Sequence, residues 1–117
     1  MTVQECYEKL HGNYEDAKSR LMNDRLITKF MLKFPGDDSI TILREAVKAG
    51  DIETSFRGAH TLKGVAANLG FTELQQAASD LTEQLRSRTA QADPELVRRV
   101  EEAYSLVIDT LRNYEAQ

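Results

Sequence analysis

Residues 56–70 read Phe56-Arg57-Gly58-Ala59-His60-Thr61-Leu62-Lys63-Gly64-Val65-Ala66-Ala67-Asn68-Leu69-Gly70. Apolar side chains recur at Phe56, Ala59, Leu62, Ala66 and Leu69, the three- and four-residue steps of a helix with one inward face. Gly70 supplies the stop, because glycine enters the left-handed conformation cheaply. The same pattern continues on both sides. Upstream, Gly50-Asp51 reads as a helix end followed by an N-cap, and Asp37-Asp38-Ser39 offers caps for a helix carrying Ile40, Leu43, Ala46 and Val47. Downstream, Thr72-x-x-Gln75 reads as a capping box ahead of Leu74, Ala77, Ala78, Leu81 and Leu85. Asp93-Pro94 starts a last helix with proline at its first position, and Leu96, Val100, Ala103, Val107, Leu111 and Tyr114 form its apolar stripe. Short connections between amphipathic helices make antiparallel neighbours, so residues 38–115 are expected to form an antiparallel four-helix bundle.

The N-terminal residues carry shorter segments. Val3, Tyr7 and Leu10 make one, ended by Gly12. Asn13 caps a second with Tyr14, Ala17 and Leu21, and a third through Ile27, Phe30, Met31 and Phe34 stops at Pro35-Gly36. Residues 1–34 are therefore expected to cover one end or side of the bundle, within a single domain spanning 1–117. Composition agrees with an all-α chain: leucine and alanine together number 25 against 11 for valine and isoleucine, with two prolines and no tryptophan.

Charge and composition exclude several function classes. Fifteen basic and 19 acidic residues leave a net charge of −4, the wrong sign for a module that displaces counterions from nucleic-acid phosphates. Mean hydropathy is −0.48. No apolar run exceeds three residues, so neither a membrane span nor a signal-peptide core is expected and the chain is read as cytoplasmic. The single Cys6 has no disulfide partner, and His11 and His60 lie far apart, leaving little material for a metal centre.

Within the central helix, His60 falls off the apolar stripe and projects from the flank or outer side. Lys63 and Gly64 stand next to it at i+3 and i+4, and Ala67 follows at i+7. A mid-helix glycine costs about 1 kcal/mol relative to alanine, so Gly58 and Gly64 each answer a demand other than helix stability. Two demands fit: close approach of a neighbouring helix, or access of another protein to His60. An ammonium beside an imidazole disfavours a second positive charge, which keeps the ring neutral and nucleophilic, and the same cation favours an attached phosphoryl group.

His60-Thr61-Leu62-Lys63-Gly64 followed by Gly70 resembles the H-x-x-K-G-x-x-x-x-x-G signature of histidine-phosphotransfer (HPt) domains. Phe56, Ala59, Leu62, Asn68-Leu69-Gly70-Phe71 and Leu74 look like that family's usual surroundings, and the likeness covers residues 24–112. The resemblance implies a stand-alone phosphorelay protein of two-component signalling. In it His60 takes a phosphoryl group from the aspartyl phosphate of a response-regulator receiver domain and passes it on. It implies Lys63 as the charge-stabilising neighbour and Gly64 as the gap that admits the partner. Receiver domains are the expected partners and a hybrid sensor kinase a further candidate. No cofactor is expected on this chain, Mg²⁺ being expected in the receiver alone, and the protein is expected to be a monomer.

Folding back at Gly70–Phe71 places His60 opposite Ser79, Thr82 and Arg86. Arg57, Thr61, Ala67, Thr82 and Arg86 are thus candidates for the partner interface. No G-x-x-x-x-G-K-[ST] or G-x-G-x-x-G loop is present, so a carrier without ATP-dependent kinase activity is expected rather than an enzyme. Two other classes fit less of the pattern. One is an unphosphorylated helical module that binds a response regulator. The other is a small enzyme or bundle metalloprotein using His60 as general base, with Glu53 or Glu73 as the orienting acid.

Overall fold

The computed structural model describes residues 1–116. Among them the elements are α1 (Val3–Lys9), α2 (Tyr14–Leu21), α3 (Asp24–Lys33), a 3₁₀ turn (Phe34–Gly36), α4 (Ser39–Ala49), α5 (Ile52–Leu69), α6 (Thr72–Leu85) and α7 (Pro94–Glu115). The described residues contain no strand. Polar side chains start several helices as their sequence suggests. Asn13 accepts from the N–H of Asp16 at 2.9 Å, and Asp51 from that of Thr54 at 3.0 Å. Asp93 accepts from that of Glu95 at 2.8 Å. Each satisfies a donor that the first helical turn leaves without a partner. At α4 the bond comes from one residue further out: Asp37 accepts from the Ser39 N–H at 2.9 Å, while Asp38, the cap residue itself, makes no side-chain cap bond.

The capping box expected at Thr72 does not form. Thr72 is already the first residue of α6, and its hydroxyl donates to the Gly70 carbonyl at 3.4 Å. A free N–H at this helix start, that of Glu73, instead donates to the His11 carbonyl at 3.2 Å. The α1–α2 connection therefore sits over the α5–α6 junction, held by Asn13 N–H to the Gly70 carbonyl (2.8 Å) and Tyr7 Oη–H to the Leu69 carbonyl (2.6 Å). His11 Nδ1 and Glu73 Oε2 share a hydrogen bond of 2.7 Å in the same place. Burial pushes the Tyr7 phenol well above its ordinary range, so it stays a donor.

Helices α4 to α7 form the bundle, with α5 packed between α4 and α6, and α6 against α7. Arg44 of α4 bonds Glu101 of α7 at 2.7 Å, linking the outer pair. One continuous core runs through Leu43, Leu62, Leu81 and Val107 and takes in Val3 and Tyr7 of α1, Leu10 at its C-cap, and Ile27 and Met31 of α3. The rings of Tyr7 and Phe71 lie 5.9 Å apart, those of Phe71 and Phe34 5.3 Å, and those of Phe34 and Tyr104 5.7 Å. This aromatic chain joins the N-terminal helices to the far side of the bundle. Phe30, expected in the apolar stripe of α3, is 37% exposed.

Candidate functional site

The site is a stretch of α5 facing away from its neighbours. Gly58, Ala59, Leu62, Ala66 and Leu69 are buried, whereas Arg57, His60, Thr61 and Gly64 are exposed. Periodicity alone places His60 on this outer flank, and the structure agrees. Its imidazole runs parallel to the Phe56 ring one turn earlier, with centroids 5.9 Å apart and planes 6° from parallel. Helical side chains lean toward the N-terminus, which brings i and i+4 rings together. Phe56 is thus a correction: it packs against the core with part of its surface, but it is only half-buried and serves as the platform for His60.

The two mid-helix glycines separate cleanly. A methyl group at Gly58 would stand 3.0 Å from Leu43 Cα and 3.1 Å from its N, so this glycine lets α4 and α5 approach. A methyl group at Gly64 would meet no atom within 4 Å. Packing therefore accounts for Gly58 and not for Gly64, whose missing side chain leaves open space one turn beyond His60. Gly64→Ala should raise stability by up to about 1 kcal/mol through helix propensity. Gly58→Ala should lower it by about 1 kcal/mol net, because backbone of α4 must move. Denaturant unfolding of the two variants side by side measures the contrast.

The surrounding charges are paired within α5 and α6 and, through Arg88, between them. Lys63 is half-buried on the α6 side of the helix, and Glu83 of α6 feels its charge. Glu83 is held below the usual carboxylate range chiefly by hydrogen bonds from Arg86, the shorter being 2.8 Å, with Lys63 adding to the effect. Glu53 is lowered in the same way, mainly by Arg88 Nε at 2.8 Å and then by Arg57 Nε at 3.0 Å. Four cations thus share two carboxylates, leaving the neighbourhood of His60 positive within a chain of net charge −4. Lowered folded-state values mean that both carboxylates stabilise the fold above the unfolded value of 4.5 and lose that contribution as pH falls through their folded values. Acid unfolding should therefore steepen below about pH 4.5, and Glu53→Gln should flatten the profile there; circular dichroism against pH reads both.

The remaining expected site residues divide. Thr61 is exposed beside His60, Arg57 and Arg86 are exposed but ion-paired, and Ala67 is half-buried, its carbonyl accepting from Arg20 Nη1 at 2.6 Å. Thr82 is not at the surface. It is fully buried, and its hydroxyl donates to the Ala78 carbonyl at 2.7 Å, so it offers neither an interface contact nor a bond toward His60. The two acids considered for a general-base enzyme are engaged elsewhere: Glu73 with His11, Glu53 with two arginines. Among the described residues no three His, Cys, Asp or Glu side chains group as a metal would require. The residues missed from sequence are Glu83 and Arg88, while Glu53, considered as an orienting acid, is instead an ion-pair partner. The i, i+3 spacing of Glu83 and Arg86 was a local signal for Glu83; nothing local pointed to Arg88.

A family model described as Hpt domain matches residues 35–113. The chain belongs to the Hpt family. No curated protein and no solved structure matches it. Membership implies a phosphotransfer role in a phosphorelay and interaction with response-regulator receiver domains. Hpt domains in general carry phosphoryl groups without kinase activity of their own. In this Hpt chain the match begins at Pro35, so α1 to α3 lie outside it, although their side chains are part of the same core. No helix among the described residues is long and apolar enough to cross a membrane.

Proposed function

We propose that this Hpt chain carries a phosphoryl group on His60, received from the aspartyl phosphate of a receiver domain and passed to or from response regulators in the cytoplasm. The observation that carries the reading is an exposed imidazole on a rigid helix, with open space at the i+4 position that no packing demand explains. In the step itself, the unprotonated ring nitrogen donates its lone pair to phosphorus. The P–O bond to the aspartyl carboxylate breaks, and that carboxylate leaves with the electron pair. The other ring nitrogen keeps its proton. Attack and departure must be in line, which requires the receiver to come close to α5. An alanine methyl at position 64 would stand in that approach.

In this reading Lys63 offsets the charge of the phosphoryl oxygens, and the chain itself needs no cofactor, the divalent cation being the receiver's. The docking surface starts at Thr61 and Gly64 and continues along α5 to Val65 and Asn68. There a shallow depression of about 190 Å³ is rimmed by Phe30 and Lys33 of α3. Exposed Phe30 supplies an apolar contact, and Lys33, with its ammonium 5.8 Å from that ring, suits the acidic pocket of a receiver. Transient contacts of this kind can be small, below about 1,200 Å².

Mixing the chain with receiver domains carrying radiolabelled aspartyl phosphate tests the proposal. Label should appear on this chain within the mixing time for a cognate receiver, survive base and be lost in acid, as a phosphoramidate is. Label that never leaves any receiver, or that resists acid on this chain, would refute it.

A further inference from the structure

Arg88 stands in the α6–α7 connection with φ +56, a left-handed conformation that glycine would adopt at lower cost. Its backbone N–H closes a turn onto the Leu85 carbonyl at 3.0 Å. An arginine here carries a backbone cost, and its contacts are specific. Nε donates to Glu53 Oε2 at 2.8 Å, and Nη1 donates to the Arg86 carbonyl at 2.7 Å. The guanidinium carbon lies 3.6 Å from the centroid of the Phe56 ring. At that distance the guanidinium covers the ring face, where the ring quadrupole attracts a cation. The Phe56 ring is in turn the surface along which the His60 imidazole lies.

We propose that Arg88 is a positioning residue for phosphotransfer: it clamps Phe56, and Phe56 sets the plane of the His60 ring before a receiver docks. The inference rests on His60 being the phosphoryl acceptor. A free histidine side chain turns about two torsions, and each rotation moves the reacting nitrogen off the line of transfer. Holding the ring against a fixed neighbour removes that freedom before the encounter rather than during it. Arg86 does not serve equally. Its guanidinium lies 5.6 Å from the same ring and is bonded to Glu83 on its own helix. Arg88 instead spans from the end of α6 to the first turns of α5, so the platform is tied across helices.

Proton resonances of the His60 ring, which the Phe56 ring current displaces, and single-turnover phosphotransfer test this together. In Arg88→Gln the resonances should move toward those of free histidine and transfer should slow about tenfold, while receiver affinity stays at the wild-type value. Arg88→Lys keeps a cation without the fork and should fall between the two. Phe56→Leu keeps apolar volume without the ring and should slow transfer to a similar degree, and adding Arg88→Gln to it should change nothing further. Unmoved resonances with wild-type transfer in Arg88→Gln overturn the inference. So does an additive loss in the double variant, which would mean Arg88 acts on the phosphoryl group or the partner and not through Phe56. A phosphorylated His60→Gln chain would instead overturn the acceptor assignment, which keeps the two failures apart.

Discussion

In the His60→Gln variant, phosphoryl transfer from a labelled receiver falls to background, a loss of at least about a thousandfold. Glutamine matches much of the histidine's reach and polarity, and position 60 is exposed, so stability should stay within about 0.5 kcal/mol of the parent. What disappears is the nitrogen lone pair, since an amide nitrogen is delocalised and does not attack phosphorus at useful rates. Receiver binding, followed by titration, should survive. That pairing of intact binding with lost labelling separates a phosphoryl carrier from a module that only binds regulators, in which the same variant would signal normally. Labelled His60→Gln would move the acceptor elsewhere, with His11, hydrogen-bonded to Glu73, the first position to examine.

Gly70→Ala should lower stability by about 3 kcal/mol. Two costs add there. Gly70 has φ +71, where an L side chain is strained by about 1–2 kcal/mol. A Cβ would also stand 2.7 Å from the Asn13 carbonyl oxygen and 3.1 Å from the Ala17 methyl, neither of which is the free end of a flexible side chain. The α1–α2 connection would have to lift, breaking the 2.8 Å bond from Asn13 N–H and exposing the Tyr7 hydroxyl and the Glu73 N–H that depend on it. For a domain of this size the loss corresponds to a melting point lower by roughly 10–15 °C. A shift of only a degree or two would show that the connection rides loosely on the α5–α6 junction. Transfer measured well below the melting point should change little, because His60 lies ten residues before the turn on an intact helix.

Much of the site was legible in the sequence because it is local to one helix. A helical repeat assigns every residue of α5 an angle about the axis, so the apolar positions 59, 62, 66 and 69 define the inside and His60 falls outside it. The same reasoning found the capping residues Asn13, Asp51 and Asp93, since a cap needs only its own helix start. Whether a mid-helix glycine serves packing or access was not legible. Gly58 and Gly64 are indistinguishable until the position of Leu43 is known.

Thr82 lies on the opposite face of α6 from the one its level along the helix suggests. Counting back from the Gly70 turn gives the axial level at which a residue of α6 meets His60, but not the face it presents. Thr82 is four residues beyond Ala78, on the buried stripe, and its hydroxyl is satisfied by its own helix, so it needs no partner outside. The missing capping box has a related cause. The Glu73 N–H at the start of α6 meets the His11 carbonyl, from 62 residues earlier in the chain, and an acceptor supplied there makes the local box unnecessary.

The amino-acid sequence by itself determined the helices, most of their ends and the outward direction of His60, because each follows from torsional preference and spacing within one stretch of chain. Tertiary structure alone decided which glycine is a helix contact and that Arg88 reaches back to the Phe56 ring. Those features depend on the rotation of one helix against another and on contacts between distant residues, which no local periodicity encodes.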